Sequence, residues 1–355
     1  MNEQFPNPPQ NNGSIPPPRY QGYYPPPRKY IPPEVAERKR FKGKVNFMGG
    51  ALLIYSVILY GIVIAGIIVY DIFAMLTAGS KDAYFEKIDE FEANFSESAV
   101  TMLIGVVLGC IFLILFYIRR LPLKEVFAPR RKMKLSSLIM LICVLMGCQF
   151  FFAITETIIE FCLNNVGLTA EAAIESSKAG STTISMMIYA GFIGPLAEEL
   201  TYRGYVMGSL SKAGGGKVFA ILVSAVLFGI MHANPTQSLF AIGVGIVFAY
   251  AAIEYGILWS LFLHVLNNFV FGDVLVFIYN RIPELAANIL DYALFIGLFI
   301  AAIIILIVKR KYIAEYIRTN RTPARYYGWT FSAVTVIIFI VINAILAVTI
   351  ISKLE

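Results

Sequence analysis

A succession of uninterrupted apolar runs, each near the length needed to cross ~30 Å of hydrocarbon, most constrains this chain. Such runs must satisfy their backbone groups internally, and helices or closed barrels do this in lipid. The runs show neither the alternation nor the shortness of barrel strands, so the expected fold is all-α: a polytopic helical membrane protein. Composition agrees. Of 355 residues 58% are hydrophobic and 15% charged, with a mean hydropathy of +0.70. The chain opens without a charged segment, short apolar stretch and cleavage site, so no removable signal peptide is expected.

Read in order, spans are expected near Phe47–Met75, Ala99–Ile118, Leu135–Leu163, Thr182–Leu210, Val218–Ala233, Gln237–Tyr255, Gly256–Tyr279, Asp291–Val308 and Thr330–Ile351. About eight to nine helices would then surround an intramembrane polar cavity, and the joint between the sixth and seventh admits a re-entrant reading. The expected divisions are a Pro- and Tyr-rich tail over 1–44, N-terminal transmembrane helices over 45–180, a catalytic core over 181–280 and C-terminal helices over 281–355. The tail is expected to be disordered or polyproline-like, and is a candidate docking arm for a cytoplasmic partner.

The net charge of +6 invites a nucleic-acid reading, but the basic residues flank apolar runs. That placement sets topology, so no nucleic-acid partner is expected. Arg38, Lys39, Arg40, Lys42 and Lys44, and the seven basic residues from Arg119 to Lys134, place both segments on the cytoplasmic side. With no organelle address, the expected location is a bacterial plasma membrane, the N-terminus inside. The four cysteines show no C-x-x-C spacing, which gives no framework for disulfides or a metal.

The stretch GFIGPLAEELTYRGY, from Gly191 to Tyr205, sets two adjacent carboxylates and an arginine in apolar surroundings. Charges at membrane depth are costly and point to function. At i,i+4, Glu199 and Arg203 share a helical face in the favourable order for an ion pair. Glu198 is turned about 100° away and stays free for chemistry. Pro195 cannot donate to the carbonyl of Gly191 and should loosen the helix just before the acids. Glu156 and Glu160 form a second i,i+4 acidic pair, which fits the outer interface, a structural role or a polar cavity.

Both histidines, His232 and His264, fall in expected membrane helices. A lone intramembrane histidine is often an interhelical hydrogen bonder. Here Phe228 precedes His232 by four residues, and Asn268 follows His264 by four. A carboxylate, two imidazoles and an amide suffice to activate water, hold an oxyanion and protonate a leaving amine.

In these motifs, E-E-x-x-x-R at Glu198, Glu199 and Arg203, F-x-x-x-H at Phe228 and His232, and H-x-x-x-N at His264 and Asn268, the chain resembles the CPBP (Abi) family. Those are intramembrane endopeptidases related to type II CAAX prenyl proteases. The resemblance covers roughly Ile184 to Phe271 and implies a catalytic set of Glu198, His232, His264 and Asn268. Glu198 would be the base on water, held by His232, with His264 and Asn268 as oxyanion donors. Glu199 and Arg203 would be a supporting ion pair, and Phe228 would pack against the base. It implies a peptide or membrane-protein substrate in the lipid bilayer and no cofactor, and leaves a prenylated substrate open. Two other classes compete. One is a zinc protease using the histidines and a carboxylate, against which stands the lack of H-E-x-x-H. The other is a transporter or non-catalytic scaffold, for which no inverted hydropathy repeat is seen.

Overall fold

Helices are the main material of the chain. The computed structural model describes residues 30–117, 123–128, 130–178 and 181–354. Most of the Pro- and Tyr-rich tail, and part of the basic segment after Tyr117, lie outside the described residues. Eleven helices in chain order are used below: α1 Pro33–Thr77, α2 Lys81–Glu97, α3 Val100–Tyr117 and α4 Leu135–Asn164; α5 over 184–213, interrupted by wider turns; α6 Lys217–Met231, α7 Pro235–Tyr255 and α8 Ile257–Tyr279; and α9 Glu284–Asn320, α10 Arg325–Phe331 and α11 Val334–Thr349. A two-residue antiparallel pairing, β1 Leu168–Thr169 with β2 Ser352–Lys353, joins the chain after α4 to the C-terminal end.

By length and apolarity five of the described helices are candidate spans: α1, α4, α7, α8 and α9. A sixth is counted if α10 and α11, bent by 63°, form one crossing. The molecule is an all-α, multi-pass membrane protein.

Three expectations shift in position. Helix begins at Pro33, ahead of the expected tail boundary at 44, because proline suits the first helical turn and the following segment buries Phe41 and Val45. Phe41 meets Tyr326 edge-on, with ring centroids 4.7 Å apart, so the basic residues before Lys44 ride on a helix docked to α10. The acidic stretch between the first two expected spans is helical, as α2. It lies back on α1, stacking Phe91 on Tyr70 at 3.9 Å. In the expected loop after the third run, Glu160 accepts from the Thr169 hydroxyl and the Ala170 N–H. It ties down that turn, a structural use. Glu156 is buried on α4.

The core that positions the site is α5 to α8. Helix α6 packs along α7, and α5 meets α6, α7 and α8. Asn234 caps α7 by accepting from the N–H groups of Thr236 and Gln237, with Pro235 in the first turn. Between α7 and α8 the chain reverses at one residue, Gly256, whose φ of +107° is open to glycine and strained for other residues. Such a short joint folds α8 back on α7, so that Ser260 donates to the carbonyl of Phe248.

Candidate active site

Wider π-type turns occur at Tyr189–Ile193, Glu199–Val206 and Leu266–Val274. The second and third carry motif residues and the first is reached by one, Asn268, and such turns often mark functional sites. The first has a chemical cause. Around Pro195 the hydrogen bonding slips to i−5, with the Gly194 N–H donating to the carbonyl of Tyr189. By the same offset Pro195 faces the carbonyl of Ala190 and, lacking an N–H, leaves it open. The side chain of Asn268 fills that position, donating from Nδ2 at 3.0 Å. Pro195 therefore loosens the helix as expected, and the freed carbonyl lies one residue before the expected one.

Glu199 is fully buried and receives three groups. Arg203 Nη1 is 3.1 Å from Oε1, His264 Nδ1 lies 2.9 Å from the same oxygen, and the Ser260 hydroxyl is 2.6 Å from Oε2. Ser260 Oγ is also 2.8 Å from the carbonyl of Phe248, so its single proton is divided between two acceptors. The guanidinium of Arg203 donates from Nη2 to the carbonyl of Gly245 at 3.2 Å. It lies 4.4 Å from the ring centroid of Phe228 and 5.3 Å from that of Phe248. Two aromatic faces and a paired carboxylate are the company in which a buried cation is tolerated. The close approach needs Gly245: a Cβ there would sit 3.1 Å from the Phe228 ring.

Glu198 differs from its neighbour. Its side chain is 19% exposed against 1% for Glu199, and its Oε2 lies 3.4 Å from His264 Nε2. His264 thus stands between the two acids, Nδ1 toward the buried one and Nε2 toward the open one. Its ring stacks on Phe248 at 4.5 Å and 22°. His232 closes α6, where its Nδ1 donates to the carbonyl of Phe228 at 2.9 Å. A carbonyl only accepts, so the proton is on Nδ1 and Nε2 is left as an acceptor. Phe228 meets both imidazoles edge-on, at 4.8 Å for His232 and 5.8 Å for His264.

The expected residues thus divide. Glu199, Arg203 and His264 form one contact network, Glu198 touches it through His264, and His232 adjoins it through Phe228. Asn268 is turned to α5, with one N–H on Ala190 and its Oδ1 accepting from Asn267 Nδ2 at 2.9 Å. Glu199 is more than the partner of Arg203, since it also orients His264. The contacts of Phe228 are with the imidazoles, the guanidinium and Tyr202.

Ser260, Phe248, Gly245 and Asn267 escaped the sequence reading. Ser260 carried a signal, because it lies four residues before His264 in an apolar helix. Phe248 and Gly245 carried none, since their roles depend on how α7 crosses α5. Among the described residues, no group of three His, Cys, Asp or Glu side chains is arranged to hold a metal ion.

Comparison with known proteins addresses the same segment. Residues 180–270 match the family described as type II CAAX prenyl endopeptidase Rce1-like. A curated relative, "Putative membrane peptidase YdiL" of Bacillus subtilis (strain 168), is 26% identical over 163 residues, which is 45% of this chain and 66% of the relative. No solved structure matches. Residues 180–270, which hold the Glu199–Arg203–His264 network and its open neighbour Glu198, are thus the part of the chain that is similar to the CAAX-protease-like membrane peptidases.

Proposed function

We propose that this protein is an intramembrane endopeptidase of the glutamate type, hydrolysing peptide bonds of a peptide or membrane-associated protein. The observation that carries the reading is the asymmetry of the adjacent acids. Glu199 is buried and committed to one ion pair and two hydrogen bonds, whereas Glu198 is partly accessible beside an imidazole that Glu199 holds in place.

In this reading Glu198 takes a proton from a water that also donates to His232 Nε2. The water oxygen bonds to the scissile carbonyl carbon, and the carbonyl oxygen becomes an oxyanion. His264 Nε2–H and the second N–H of Asn268 hold that charge. Because His264 Nδ1 donates to Glu199, Nε2 carries a proton only in the doubly protonated ring, whose charge Glu198 balances while Glu199 balances Arg203. As the intermediate collapses the C–N bond breaks, and Glu198 passes its proton to the departing amine. Arg203 and Ser260 keep Glu199 in register.

The topology belongs to the same proposal. Five or six long crossings are supplemented by the shorter apolar helices Val100–Phe116 and Lys217–Met231 and by the interrupted α5, which gives the expected eight to nine. The basic start of α1 faces the cytoplasm, in a plasma membrane.

The test is cleavage of a peptide or membrane-protein library by the purified full chain, wild type beside Glu198→Gln, with chelator throughout. The amide keeps the shape but cannot accept the proton of water, so the rate should fall on the order of 10² or more. Equal cleavage by the two proteins would remove the assignment. Cleavage that appears only when the chelator is left out would replace it with metal-assisted hydrolysis.

A further inference from the structure

Three side-chain amides run in line from α4 to the open carbonyl on α5. Gln149 Nε2 donates to Asn267 Oδ1 at 3.1 Å, Asn267 Nδ2 donates to Asn268 Oδ1 at 2.9 Å, and Asn268 Nδ2 donates to the carbonyl of Ala190 at 3.0 Å. Asn267 and Asn268 each use the oxygen on one neighbour and the nitrogen on the next, and the line has a direction. Its far end is fixed by backbone, because the Ala190 carbonyl accepts and cannot donate. Flipping the Asn268 amide would set two oxygens together at Ala190 and two nitrogens together at Asn267. Gln149 fixes the near end: its donor holds the Asn267 oxygen, which leaves the Asn267 nitrogen for Asn268. Asn267 is 7% exposed, so water offers little substitute for a lost partner. Gln149 itself is a lone amide in an apolar run, MGCQFFF, where an unpaired polar group is costly.

We propose that Gln149 and Asn267 are positioning residues that fix the orientation of the Asn268 amide, so that its second N–H is presented to the oxyanion. The proposal rests on the hydrolytic reading above. It joins a helix outside the matched family segment, α4, to the site, and gives the freed carbonyl beside Pro195 a purpose: it sets the polarity of the whole line.

The experiment uses the full chain in lipid nanodiscs and a fluorogenic peptide built on a cut site from the library above. Gln149→Met removes the donor at nearly the same volume, and Gln149→Glu replaces it with an acceptor that repels Asn267 Oδ1. Misdirecting one oxyanion donor should lower kcat about 3-fold for Gln149→Met and about 10-fold for Gln149→Glu, below the loss from removing a donor outright. KM should stay within about 2-fold, since the substrate's ground state does not use the N–H. In an Asn268→Ala background neither change should lower kcat further, whereas a merely structural role for Gln149 would persist there. If Gln149→Glu fails to fold, Gln149→Met and Asn267→Leu carry the same cycle. The positioning role is overturned, with hydrolysis intact, if wild type cuts and Glu198→Gln does not while the Gln149 variants keep wild-type kcat or lose it equally without Asn268. If wild type and Glu198→Gln behave alike, the hydrolytic reading falls and takes the proposal with it.

Discussion

Helices α5 and α9 were built from opposite rules. In α9, 37 residues with a mean hydropathy of 2.7 over the most apolar window bury only Ala287 and Ala302. In α5, the eight residues of Glu199–Val206 include Glu199, Thr201, Arg203 and two tyrosines, and seven of the eight are buried. A strongly apolar helix is mostly exposed and the polar stretch faces inward. Lipid gives helices no hydrophobic reason to pack, so the interior is made by small residues, aromatic faces and hydrogen-bonding groups. Charges are admitted where a partner waits. In a soluble protein the same two sequences would exchange places.

That contrast can be attacked at its strongest point first. Arg203→Leu leaves Glu199 buried without its cation, which costs about 3–5 kcal/mol when one partner of a buried pair is removed. We expect loss of folded protein on size-exclusion in detergent and no recoverable cleavage. A variant that folds and melts like wild type would mean the pair does not organise α5. Next is Glu198→Gln, one residue from the buried acid. It should abolish most cleavage yet leave the melting temperature where it was, because Glu198 is the partly open member. A melting temperature lowered as much as by loss of Glu199 would erase the distinction between the two acids. Ser260→Ala removes the hydroxyl 2.6 Å from Glu199, a hydrogen bond to a charged group worth about 1.5–3 kcal/mol. Both melting temperature and kcat should drop measurably; Ser260→Thr, which keeps the hydroxyl, should restore part of each. At the weak end, Ile304→Ala on α9, where Ile304 is 55% exposed, should change stability by no more than ~0.5 kcal/mol, as outlying surface positions do. A large effect in detergent unfolding would show that the exposed face of α9 packs on something in the functional protein.

How much of this was legible beforehand follows the range of the interaction. The all-α membrane class came from the apolar runs, and the Glu199–Arg203 pair from a spacing of four along one helix. The loosening at Pro195 came from its missing N–H. Each of these depends on residues within one or two turns of each other. The start of α1 was missed because its basic segment resembles the proline-rich stretch before it in polarity, while its helicity is stabilised by Phe41 meeting α10, far away in the chain. The site repeats this division. Glu198, Glu199, Arg203, Phe228, His232, His264 and Asn268 stood out as polar or patterned residues in apolar surroundings. Ser260 as a further partner of Glu199 did not, nor did Phe248 under the imidazole.

The sequence by itself therefore determined the solvent of this protein, a bilayer, and the inventory of groups too costly to place there without purpose. Only the tertiary structure decided that Ser260 and His264 join Arg203 on Glu199, which imidazole nitrogen meets which carboxylate, and that Asn268 completes the carbonyl Pro195 leaves free. The physical reason is that a side chain's cost in lipid is a property of the residue, readable one position at a time. Its partner is a property of how α5, α7 and α8 cross, and that depends on the one-residue reversal at Gly256 and the glycine-sized gap at Gly245.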